Sequence, residues 1–120
     1  MITEDYVSYD TAKLLKEKGF DGICWTAYEI ITNEHAVEQS SISEWGKLSQ
    51  VKRPTLQMAM KWLREEHAII IELHHQHRKE WYAIISSENP LGIGVYTTST
   101  FNTYEQACEA GIRYCLENLI

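Results

Sequence analysis

The sequence predicts an α+β domain, built as an antiparallel sheet of four to five strands with three helices mainly on one of its faces. Three observations carry that expectation. Apolar residues recur every three to four positions in three stretches, each with a helix-start signal at its entrance. From residue 68 the apolar period drops to two. The links between the period-two runs are short and polar, which favours antiparallel pairing and helices gathered on one side.

The first helix is expected over "YDTAKLLKEK". Ser8 is placed to cap it, Asp10 lies in its first turn, Lys16 and Lys18 in its last, and Gly19 supplies a left-handed stop. Ala12, Leu14 and Leu15 give it a buried side. "ICWTAYEII" (23–31) is rich in aromatic and β-branched residues and is bounded by Asp21-Gly22 and Thr32-Asn33, as a strand would be. Residues 33–53 carry weak patterning, with room for a second strand near Ala36 to Ser40 and irregular chain around Ser40-Ser41 and Trp45-Gly46.

"RPTLQMAMKWLREEHAI" is the clearest helix. Leu56, Ala59, Met60, Leu63 and His67 form one stripe, Met58 and Trp62 widen it, and Pro54 at the entrance has a helix-compatible φ. Lys61, Arg64, Glu65 and Glu66 then face water. In "AIIIELHH", Ile69, Ile71 and Leu73 alternate with Ile70, Glu72 and His74. In "WYAIIS", Trp81, Ala83 and Ile85 alternate with Tyr82, Ile84 and Ser86, so the two runs form a hairpin. Asn89-Pro90-Leu91-Gly92 suits a turn, and "GVYTTST" a last strand. The closing helix starts at Thr103, with Gln106 placed to return the capping bond. Its stripe is Cys108, Gly111, Ile112, Cys115 and Leu119.

At 120 residues the chain fits a single domain, residues 1–120, and folding removes roughly 65% of the extended chain's surface. Its apolar fraction of 44% is too high for a disordered segment. The apolar runs at 68–71 and 83–85 fall far short of the roughly 20 residues a membrane helix needs. The start, Met1-Ile-Thr-Glu-Asp-Tyr, has carboxylates where a secretion signal has cations, so a cytoplasmic protein is expected.

The net charge of −6 is uneven. Residues 1–50 hold 9 acids and 4 bases, 51–82 hold 4 and 6, and 83–120 hold 4 and 1. Such a balance repels phosphate backbones, and only the basic segment 52–82 could oppose it. That segment carries Lys52, Arg53, Lys61, Arg64, Arg78 and Lys79 beside Trp81 and Tyr82, a mixture of cations and aromatic rings that single strands favour.

"HHQHRKEW" (74–81) holds three histidines, but on a strand His75 and His77 share a face and His74 points the other way, so they do not converge on one ion. A solvated hairpin tip is the expected reading, with no metal and no cofactor. Cys24, Cys108 and Cys115 are odd in number and lack a CxxC pair, and the last two lie about 10 Å apart along one helix. They read as core residues. Gly92 and Gly94 lack the third glycine and the Lys-Ser/Thr of a phosphate loop, and no nucleophile elbow is present. Glu72, between Ile71 and Leu73, is expected to face solvent. No catalytic residue is assigned. Trp25 and Trp62 suit the core, whereas Trp45 and Trp81 are candidates for a partner surface.

"RPTLQMAMKWLREEHAIIIEL", "FNTYEQACEAGIRYCLENLI" and "VSYDTAKLLKEKGFD" together resemble short uncharacterised proteins encoded by bacterial prophages and mobile elements. The resemblance implies a small α+β domain in a mobile-element setting, without site residues to carry over. The expectation drawn from all these features is a non-enzymatic protein-interaction domain that binds a protein partner or itself. An accessory nucleic-acid-binding protein using residues 52–82 is the alternative, and a metal-dependent or hydrolytic enzyme ranks third.

Overall fold

Local capping sets the helices. In a computed structural model, which describes residues 4–22, 24, 26–32, 35–39, 50–77, 79–89 and 92–120, α1 runs Tyr9–Glu17. The Ser8 side chain accepts the Thr11 N–H, and Gly19 adopts φ 87° just past the helix. α2 spans Leu56–His67. Thr55 caps it, its hydroxyl accepting the Met58 N–H, and Pro54 stands just ahead of the cap, where its carbonyl accepts the Val7 N–H. α3, Tyr104–Asn118, begins at Thr103 as expected, whose side chain accepts the Gln106 N–H.

The strands divide between two antiparallel sheets. β1 (Ala27–Thr32) lies between β2 (His35–Gln39) and β3 (Gln50–Lys52). β4 (Ile69–Gln76), β5 (Glu80–Asn89) and β6 (Gly92–Thr97) form the second sheet in that order. The α+β class is therefore as anticipated, and among the described residues there are the three expected helices and six strands, shared between two antiparallel sheets of three. β1 starts at Ala27, later than the apolar run suggested. Ahead of it, Thr26 is tied to Arg53 by the Arg53 N–H to the Thr26 carbonyl and by the Thr26 hydroxyl to the Arg53 carbonyl. β3 is an addition, a three-residue strand whose Val51 is buried. Trp25, the segment 40–49 with Trp45, Arg78 and the Pro90-Leu91 turn lie outside the described residues.

One core joins the elements. Val7, Leu15, Tyr28, Val51, Leu56, Leu63, Ile69, Ile85, Ile112 and Leu116 belong to a single buried cluster that draws on both sheets and all three helices. The segment before α1 is fastened to the entrance of α2 by the Tyr6–Thr55 bridge and by the Leu56 N–H to the Asp5 carbonyl. The Tyr28 hydroxyl closes this corner, donating to the Val7 carbonyl at 2.6 Å. Two stripe residues stay outside: Met58 is 36% and Leu119 37% exposed, the latter because α3 has ended by that point.

α3 packs on β4 and β5. The alternation in β4 decides which side it covers, since Ile69 is buried and Ile71 and Leu73 are half-buried, whereas Ile70 and Glu72 are exposed. Gly111 permits the close approach. A Cβ there would stand 3.2 Å from the Ala83 Cβ and 3.3 Å from a methyl of Ile71. Tyr114 completes the contact at the sheet's margin by stacking on Tyr96, with centroids 3.7 Å apart.

Candidate functional site

Antiparallel register places cross-strand partners on the same side of a sheet. In β4, β5 and β6 the pairs Ile70–Ser86 and Ser86–Val95 make one transverse row, and Glu72–Ile84 and Ile84–Thr97 the next. Both rows lie on the side away from α3, because their neighbours Ile71, Ile85 and Tyr96 make the opposite, helix-covered row. Val95 is 67% and Ile70 48% exposed. A large apolar side chain loses roughly 1.5–3 kcal/mol of favourable transfer when it stays in water, so burial of these two branched residues, which share one row, would be favourable.

The histidines frame one end of this sheet. His74 shares the uncovered side with Tyr82, on which it stacks at 5.4 Å, and its ring nitrogen lies 3.2 Å from Glu72. Glu72 faces solvent as expected, with its side chain 57% exposed. His75 is on the other side, against Trp81 at 4.6 Å, and Trp81 in turn meets Tyr104 edge-on. His77 is in the turn with φ 52°. His67, on α2, packs on Trp62. Among the described residues no group of three or more His, Cys, Asp or Glu is placed to hold a metal ion.

The cations of residues 52–82 are spread over different elements. The Lys52 ammonium donates to the Gly22 carbonyl at 2.9 Å. The Arg53 guanidinium lies over the Tyr6 ring at 4.0 Å and 5.5 Å from Tyr28. Lys61 and Arg64 are exposed on α2, and Lys79 is exposed at the hairpin. Among the described residues, Lys52 and Arg53 are thus engaged in holding the fold.

A cleft of about 670 Å³ was not anticipated. It opens between the 4–8 segment and α3 and is bordered by Glu4, Asp5, Arg53, Phe101, Glu105 and Arg113. Its lining comes from five separate stretches of chain, so no local spacing announces it. One lining carboxylate, Glu109, has a structural task, accepting the Ser8 N–H and the Thr11 hydroxyl.

The cysteines are core residues. All three are buried. Burial pushes the thiols of Cys108 and Cys115 up to about 12, with Glu109 and Glu105 adding to the effect at Cys108, and also raises Cys24 against the opposing charge of Lys52. A thiol held neutral in this way is a poor nucleophile. Among the described residues no helix is long and apolar enough to cross a membrane.

Comparison with protein-family models, with curated proteins and with solved structures returned no match to this chain.

Proposed function

We propose that the chain is a non-enzymatic protein-interaction domain whose working surface is the uncovered side of the β4–β5–β6 sheet together with the margin formed by β6. The observation that carries this reading is the row Ile70–Ser86–Val95, which presents two exposed branched apolar residues opposite the helix-packed side. The small hydroxyl of Ser86 between them keeps the row shallow, so an apolar side chain of a partner can settle there. Glu72 and His74 supply a polar rim along β4, the arrangement in which a few central residues provide most of the binding energy. A prophage or mobile-element origin belongs to the same proposal and rests on the resemblance of the three stretches alone.

The test is affinity capture from bacterial lysate by the immobilised chain and by the double variant Ile70→Lys/Val95→Lys. Both positions are exposed, so the variant should retain its fold, checked by circular dichroism. Retention of defined proteins by the parent and their loss from the variant is the expected result. Retention of nucleic acid alone, weakening steeply with salt, would replace the proposal with the nucleic-acid alternative.

A further inference from the structure

We infer that β6 pairs with β6 of a second copy of this chain, antiparallel and centred on Val95, to give a continuous six-stranded sheet. The inference deepens the interaction reading above and rests on it, naming the partner as the protein itself. Among the described residues β6 has a strand neighbour on one side alone, β5. The Thr98 N–H donates to the Ala83 carbonyl, which makes Ala83–Thr98 a hydrogen-bonded pair. Such pairs alternate along an antiparallel ladder, so Tyr96 and Gly94 bond to β5 and the backbone groups of Ile93, Val95 and Thr97 point to the open margin.

That spacing is self-complementary. Turning a second copy about a two-fold axis through Val95 sets Val95 opposite Val95 of the partner subunit and Ile93 opposite Thr97 of the partner subunit, aligning on the order of six backbone hydrogen bonds. Tyr96, whose ring is stacked on Tyr114, then falls opposite Gly94 of the partner subunit, which adds no side chain to obstruct it. The row Ile70–Ser86–Val95 runs on without a break into its own copy.

Charge and bulk agree with this joint. The chain carries −6, so two copies repel wherever acidic surfaces meet, yet "GIGVYT" holds no charged residue. The opposite margin, β4, carries the charged Glu72 beside the polar His74 and His75, and a charge on an edge strand resists pairing. α3 is set back over β4 and β5. The two β5 strands would stand about 14 Å apart, at roughly 4.8 Å per strand, which exceeds the 8–10 Å at which helices touch. The two copies of α3 therefore fit on the same side without collision.

Sedimentation equilibrium of the full chain over a concentration series tests the inference, comparing the parent with Val95→Lys and Ile70→Lys. A reversible dimer is expected for the parent and for Ile70→Lys. At least a tenfold weaker association is expected for Val95→Lys, which places two ammonium groups face to face at the axis. Thr97→Lys, also at an exposed position, gives the same readout should Val95→Lys fail to fold. A parent that stays monomeric to millimolar concentration, or a charged β6 that still dimerises as tightly, overturns self-pairing. The broader interaction reading fails by a different result, when the lysate proteins captured by the parent are unchanged in Ile70→Lys/Val95→Lys.

Discussion

The carboxylate of Glu109, in the middle of α3, accepts the backbone N–H of Ser8 at 3.0 Å, and the buried hydroxyl of Thr11 donates to the same oxygen. α3 thereby supplies a second cap to α1 across almost the whole length of the chain. A negative charge at this point also complements the positive end of the α1 dipole. Glu109→Ala leaves the Thr11 hydroxyl without that acceptor and should destabilise the fold by about 1–3 kcal/mol in urea unfolding. Glu109→Gln keeps an acceptor oxygen and should lose less than half as much.

Gly111 sits where α3 touches Ala83 and Ile71. Replacement by leucine drives a branched chain into a contact that already lies at 3.2 Å for a Cβ, and about 1–3 kcal/mol should be lost by overpacking. Thermal unfolding of Gly111→Leu checks this, and an unchanged midpoint would mean that α3 does not rest on the hairpin there.

Ala68 ends α2 with φ 54°, a left-handed conformation that strains a residue with a Cβ. It is exposed, so nothing else is lost on shortening it. Ala68→Gly should raise stability by about 0.5–1 kcal/mol, read as a higher urea midpoint at unchanged slope.

The thiols predict a one-directional response to pH. Cys108 and Cys115 stay protonated in the fold to about 12, whereas the unfolded chain gives up these protons near 9.0. Above that point the native state binds more protons than the unfolded state, so stability falls with pH. Their contribution is fully present below pH 9.0 and declines as pH rises toward 12. Urea unfolding at a series of alkaline pH values should show a shallower decline in Cys115→Ala than in the parent. Native thiols should also react with a disulfide reagent only after denaturant is added.

The elements that could be read from the residues are those in which one pattern dominates. Ser8 and Thr103 are capping residues immediately ahead of apolar stripes, Pro54 marks the entrance of the α2 stripe, and the Ile69–Leu73 alternation continues in register through Ala83 and Ile85. β3 escaped because three residues are too few to show an alternation around the buried Val51. The split into two sheets is equally silent locally, being decided by which strands pair across the chain. Glu72, His74 and His75 stand where alternation places them, whereas His77 lies beyond β4 in the turn and shares no strand face with His75; the significance of Val95 depends on β6 lying at a margin, which is a property of strand order. The cleft beside α3 draws on residues from 4 to 113 and had no local signature at all.

Residue-resolved amide hydrogen exchange along β6, at a dilution where the chain sediments as a monomer, is the most direct measurement of the open margin. The Gly94 and Tyr96 amides, directed at β5, should exchange slowly, and those of Val95 and Thr97 fast, with the fast pair slowing as concentration rises. Equal protection of all four amides in the dilute monomer would mean that β6 is already covered by its own chain, and would contradict the surface proposed for it.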